Sequence, residues 1–145
     1  MRITQEADYA LRMVSLMAEK GLVGAPEMAE CVKVPQRFAV KILRKLSSEN
    51  IVCSVRGING GYKLVSSPDT LTVSDVIEAV EGNIEISKCL SPCHTCANNC
   101  DKSKCRYHNV FACVNDMIKD RLSRLTVAMM IDTNIPVEDL INTIK

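Results

Sequence analysis

The stretch VPQRFAVKILRKLSSENIVCSVRGINGGYKL, residues 34–64, carries a helix signal and then, with almost no gap, a hairpin signal. Pro35 suits the opening of a helix, and Phe38, Ala39, Ile42, Leu43 and Leu46 recur at helical spacing to make one apolar stripe. The opposite face shows Gln36, Arg37, Lys41, Arg44 and Lys45. Residues 51–56 and 61–65 then read as two β-strands, with Gly57, Asn59 and Gly60 between them, and Asn-Gly is the strongest short-range hairpin signal. A basic helix face alone is often only a solvated surface. A basic helix running straight into a hairpin is the pattern of a winged helix-turn-helix, whose helix enters the DNA major groove while the wing lies along the backbone or minor groove.

Upstream, Thr4 suits a helix N-cap, and Ala7, Ala10, Leu11, Val14, Met17 and Ala18 recur at helical spacing over residues 5 to 19. Gly21 and Gly24 break that pattern; Pro26, Met28, Ala29 and Val32 then suit a helix of about two turns, the first of the helix-turn-helix pair. Downstream, Ser66 to Asp69 is a break and Thr72 caps a helix with Val73, Val76, Ile77 and Val80, ending near Gly82-Asn83. From Val110 through Phe111, Val114, Met117, Ile118, Leu122 and Leu125 to Met129 an apolar stripe continues for about six turns without Pro or Gly. So long a helix has little core of its own to cover, and a second copy of itself is the natural partner. Pro136 opens a short terminal helix with Val137, Leu140 and Ile141. The fold class expected is mostly α with a small β-hairpin wing: a winged helix-turn-helix followed by a long C-terminal dimerisation helix.

Between these parts lies an unusual segment. Cys89, Cys93, Cys96, Cys100, Cys105 and His108 fall between residues 89 and 108, in a loop with few large apolar residues to fold it by burial. Thiolates and imidazole are the ligands taken by zinc and by iron–sulfur clusters. The 145 residues make about one domain. Formal charge is +1, but residues 1–66 hold ten Lys or Arg against six Asp or Glu, and residues 67–145 eight against eleven. The basic excess therefore lies at the front of the chain. Neither a signal peptide nor a membrane span is expected, so the protein is read as cytoplasmic, where eight cysteines point to metal or redox chemistry rather than structural disulfides. No nucleophile and base partnership and no Gly-rich phosphate loop is visible, so an enzyme is not expected.

Three blocks carry a resemblance to a known family: Met1-Arg2-Ile3-Thr4 with Asp8-Tyr9-Ala10; Ser54-Val55-Arg56-Gly57 with Gly60-Gly61-Tyr62-Lys63-Leu64; and cysteines ending in Cys105-Arg106-Tyr107-His108 before the long helix. Their order and spacing resemble the bacterial winged-helix iron–sulfur regulators that include IscR and NsrR, over essentially the whole chain. The resemblance implies a homodimeric transcription factor whose long helices cross at the dimer interface and whose cysteine loop holds a cluster, expected to be [2Fe-2S]. It divides the chain into a DNA-binding domain with its supporting helix (1–82), a cluster-binding loop (83–108) and a dimerisation helix with a C-terminal helix (109–145). Cys89 matches the family's first cysteine and Cys105 its third. For the second, Cys100 is favoured, then Cys96, then Cys93. The fourth ligand is His108, as in IscR-like proteins, or Asp8 from the partner subunit, as in NsrR-like ones. Cys31, Cys53 and Cys113 are read as buried small hydrophobes, and His94 as exposed rather than coordinated.

Function follows as sequence-specific binding of double-stranded DNA at a pseudo-palindromic operator, modulated by a cluster that senses iron–sulfur status, redox state or nitric oxide. Lys33, Lys41, Arg44, Lys45 and Lys63 are expected on phosphates, and Gln36, Arg37 and Arg56 on base edges. The rival readings are a winged-helix regulator with structural zinc, a cluster-free regulator acting through a protein partner in cysteine metabolism, and a small iron–sulfur electron carrier. The last leaves the basic helix and hairpin unexplained.

Overall fold

A computed structural model describes residues 3–96 and 101–145. Helix α1 (Gln5–Lys20) begins at Thr4, whose hydroxyl accepts from the Ala7 N–H, with Glu6 and Asp8 in the first turn where the helix dipole favours negative charge. It buries Ala7, Ala10, Met13, Val14 and Met17. Gly21, at φ 79°, ends it in a conformation that favours glycine. Helix α2 (Ala25–Val32) follows, and Lys33 stops it in the left-handed region at φ 58° while Val34 N–H returns to the Ala29 carbonyl. Pro35 then caps α3 (Gln36–Ser48), which buries Ala39, Ile42, Leu43 and Leu46, the expected stripe. These helices, with Val76, Ile77 and Val80 of α4 (Val73–Glu81), enclose one core. Thr72 and Asp75 form a reciprocal capping box at the start of α4.

The wing is an antiparallel pair, β1 (Val52–Val55) and β2 (Gly61–Leu64), with Val52 opposite Leu64 and Val55 opposite Gly61. Its turn is not a two-residue Asn-Gly turn. Five residues, 56–60, connect the strands, Gly57 takes the positive φ, and Gly60 N–H closes on the Gly57 carbonyl at 3.0 Å. Val23, between α1 and α2, exchanges two backbone hydrogen bonds with Tyr62 at 3.0 and 2.9 Å, so the wing is stitched to the front of the helix-turn-helix.

The long C-terminal helix divides into two. Helix α5 (Arg106–Ser123) starts earlier than the apolar stripe and ends sooner; α6 (Val127–Ile131) follows a break at residues 124–126. The break is caused by competing partners for the backbone: Leu125 carbonyl accepts from Val73 N–H, Val127 N–H donates to Leu71 carbonyl, and Thr126 hydroxyl caps α6 through Met129 N–H. A side-chain period cannot register such a diversion. The terminal helix α7 (Val137–Thr143) begins after Pro136, as expected. Among the described residues no helix is long and apolar enough to cross a membrane.

Candidate nucleic-acid interface and cysteine loop

Because Ala39, Ile42, Leu43 and Leu46 fix the buried side of α3, its outward side is set by elimination, and Gln36, Arg37, Val40, Lys41 and Arg44 line a shallow depression on it. Arg37, Arg44, Arg56, Lys33 and Lys63 are exposed and make no ion pair among the described residues. Their charge is available to an anionic polymer. Lys41 is partly engaged, 3.6 Å from Glu6 and 5.6 Å from the Phe38 ring centre. The Lys45 ammonium is turned to the protein: it donates to the Val80 carbonyl at 2.7 Å and lies 3.0 Å from Glu6 Oε1. Neither Val40, the apolar residue amid this basic face, nor Ile58, the fully exposed wing tip, was singled out by the sequence patterns.

The cysteine loop is fastened at its start. Ile84 N–H donates to Glu78 Oε1 at 3.3 Å, and Ile86 N–H to Asn115 Oδ1 at 3.0 Å. Asn115 is a buried polar residue on α5 that an apolar-stripe search passes over; its signal is a polar side chain in register with inward-facing Ile118 and Leu122. Cys89 lies in a 3-10 turn (Lys88–Leu90), its sulfur 3.3 Å from Ser87 Oγ. A second such turn (Lys102–Lys104) is capped by Asp101, whose carboxyl is held below the usual carboxylate range by the Ser103 hydroxyl and backbone N–H. Lys102 Nζ donates to the Ser91 carbonyl at 3.3 Å, drawing the two turns together.

Cys105 is the N-cap residue of α5, and His108 follows one turn later on the same face. Both are half-buried, as are Cys89 and Cys96. His108 Nδ1 is buried and has no hydrogen-bond partner among the described residues. An imidazole nitrogen in that state is costly unless a group outside the described residues meets it. Thiols at Cys89 and Cys105 with an unsatisfied imidazole suit iron or zinc, and the amino end of α5 favours the negative charge that thiolate ligands carry. No three Cys, His, Asp or Glu side chains converge on a metal-sized point among the described residues. Cys100, the favoured second ligand, lies outside those residues. Asp8 pairs with Arg12 at 3.0 Å and lines a groove between α1 and α2 with Cys31 and Lys33.

Two of the remaining cysteines are not the buried hydrophobes expected. Cys31 and Cys113 are exposed, because Cys31 falls one position and Cys113 two positions from a buried residue of its helix, Val32 and Asn115 respectively, and Cys53 is half-buried. Cys31 lies 4.0 Å from Lys20 Nζ, whose pKa is raised chiefly by its hydrogen bond to Glu27 and next by Cys31. His94 is half-buried rather than exposed.

Residues 3–133 match the Rrf2 family, described as iron-dependent transcriptional regulators. The chain belongs to the Rrf2 family. An rrf2-like HTH-type transcriptional regulator of Rhodobacter capsulatus is 33% identical over 121 residues, covering 76% of this chain and 79% of the relative. IscR of Erwinia tasmaniensis, an HTH-type transcriptional regulator, is 27% identical over 135 residues, or 91% and 79% of the two chains. The solved structure of CymR, described as the global cysteine regulator of B. subtilis, matches with a TM-score of 0.71 at 23% identity, covering 90% of this chain and 96% of that one, a likeness of fold. This Rrf2 protein is therefore a DNA-binding transcriptional regulator and not an enzyme. Its exposed basic helix and wing are the parts of the chain suited to that work.

Proposed function

We propose that this Rrf2 protein is a homodimeric, sequence-specific regulator whose grip on a pseudo-palindromic operator is modulated by an iron–sulfur cluster, [2Fe-2S], in the loop before α5. The observation that carries the reading is the buried His108 Nδ1, which has no hydrogen-bond partner among the described residues and sits one turn from Cys105, at the end of a segment dense in thiols. Cys89, Cys105 and His108 would hold the cluster with Cys100 or Cys96, and Asp8 of a partner subunit is the alternative to His108. When bound, the cluster supplies an iron centre sensitive to oxidation, nitric oxide and iron supply. The chain's own part is to relay loop order. The loop is tied to α4 through Glu78 and to α5 through Asn115, so ordering it constrains the elements that support α3.

Base reading falls to Gln36, Arg37 and Arg56, and phosphate contact to Lys33, Lys41, Arg44 and Lys63. Two copies joined along α5 would present two such heads to half-sites about one helical turn apart. Protein purified without oxygen should be coloured and contain iron and inorganic sulfide, and it should differ in operator affinity from the same protein stripped of the cluster. Colourless protein lacking sulfide, or equal affinities at every salt concentration, would remove the sensing role and leave a cluster-independent regulator.

A further inference from the structure

Three helices meet where α4 ends and the chain enters the cysteine loop. From α3, Lys45 Nζ donates to the Val80 carbonyl at 2.7 Å, and Val80 is the penultimate residue of α4. Its carbonyl is among those a helix leaves without an internal partner, at the end where the dipole favours a cation. From α1, Glu6 Oε1 lies 3.0 Å from the same ammonium. That oxygen is buried and has no hydrogen-bond partner among the described residues, so Lys45 and the more distant Lys41 are what balances its charge. The segment before α1 is fastened to the same end of α4, with Thr4 N–H and Oγ1 donating to Glu81 Oε1 at 3.0 and 2.8 Å. One turn earlier Glu78 receives Ile84 N–H from the loop and sits 2.7 Å from Lys119 of α5.

We infer that Lys45 is a positioning residue rather than a phosphate contact: its ammonium pins the recognition helix to the carboxyl end of α4, and through that end links the pose of α3 to the state of the cysteine loop. A lysine with its charge already balanced by Glu6 and a helix terminus has little to gain from a phosphate. Its value lies in holding the angle of α3 against the core, on which the reach of Gln36, Arg37 and Arg44 depends. The link to the loop rests on the cluster reading above; the pinning of α3 does not.

The test is fluorescence anisotropy with wild type, Lys45→Met and Glu6→Gln, on a duplex enriched from a random pool by the wild-type protein and on a scrambled duplex of the same composition, each across a salt series. Lys45→Met keeps the aliphatic stem, and melting curves report whether each variant folds. For a pin, Lys45→Met should weaken the selected duplex by roughly tenfold, on the scale of a hydrogen bond to a charged group. It should leave the scrambled duplex and its salt slope at wild-type values. A phosphate contact would instead weaken both duplexes and reduce the slope of log K against log salt by about 0.9. Glu6→Gln, read in a Lys41→Met background because Glu6 also neighbours that phosphate-contacting lysine, separates the readings even if Lys45→Met folds poorly: a pin loses affinity for the selected duplex, whereas a phosphate-seeking Lys45 released from Glu6 gains affinity for both. A fallen slope, a gain in Glu6→Gln, or unchanged binding to the selected duplex in both variants overturns the inference. The ratio of cluster-loaded to stripped affinity should shrink toward one in Lys45→Met. If wild type itself shows a ratio of one, the cluster reading fails while the duplex comparison still decides the role of Lys45.

Discussion

A β-carbon added at Gly61 would stand 2.5 Å from the Val23 carbonyl oxygen and 2.7 Å from its carbon, both backbone atoms held by the paired bonds between Val23 and Tyr62. Neither backbone segment can yield without breaking that stitch. Gly61→Ala should therefore destabilise the fold by about 1–3 kcal/mol, read as a fall in the midpoint of urea unfolding with an unchanged slope. Ile58 is the opposite case. At 106% exposure it contributes nothing to burial, so Ile58→Asp should leave stability within about 0.5 kcal/mol of wild type. The same change places a carboxylate at the wing tip beside the phosphates of a bound duplex, and binding to any duplex should weaken, most of all at low salt. Equal affinity at 50 mM and 200 mM salt in wild type and variant would remove the wing from the interface. At this scale residue type was a fair guide to chemistry and a poor one to burial. The apolar stripe of α3 was legible because four positions repeat at one angle, whereas Cys31 and Cys113 needed the phase of their helices, which single cysteines do not supply.

At the scale of elements, what could be read from the chain was whatever the backbone decides locally. Thr4, Gly21, Pro35, Thr72 and Pro136 all mark helix boundaries, since capping geometry involves only neighbouring residues. The break between α5 and α6 depends on residues more than fifty positions away, Leu71 and Val73, and so left no trace in the spacing of the stripe. The wing turn shows the same limit in miniature: Asn59-Gly60 announced a hairpin, but Gly57 carries the strained angle and sets a five-residue loop. The join between the cysteine loop and α5 is also tertiary. It depends on Asn115 Oδ1, whose loss strands the Ile86 N–H in a half-buried position. Asn115→Ala should cost about 1–3 kcal/mol and free the start of the loop. Limited proteolysis would then cut between residues 84 and 96 well before the helical parts are touched; cleavage at the wild-type rate would show that Asn115 does not latch the loop.

For the molecule as a whole, the deciding feature is a second apolar face on α5. Asn115, Ile118 and Leu122 turn toward the rest of the chain, while Tyr107, Val110, Phe111, Val114 and Met117, which recur on one side of the helix, remain exposed. Val110 is 59% and Met117 57% exposed, so the stripe read as one continuous seam in fact serves two surfaces. Leaving such a row in water is unusual for a chain with this much charge elsewhere, and an antiparallel or crossed copy of α5 would cover it. A paired substitution, Val114→Asp with Met117→Asp, places two like charges in that seam and adds no strain to the monomer, whose core they do not enter. Sedimentation should shift from dimer to monomer, and the helical circular dichroism signal should persist. Operator affinity should then fall by roughly 10²–10⁴, because two linked half-site contacts become one. Affinity for a single half-site should stay within a few-fold of wild type, since α3 and the wing lie on separate elements. If the doubly substituted protein still sediments as a dimer, the exposed face of α5 is not the seam.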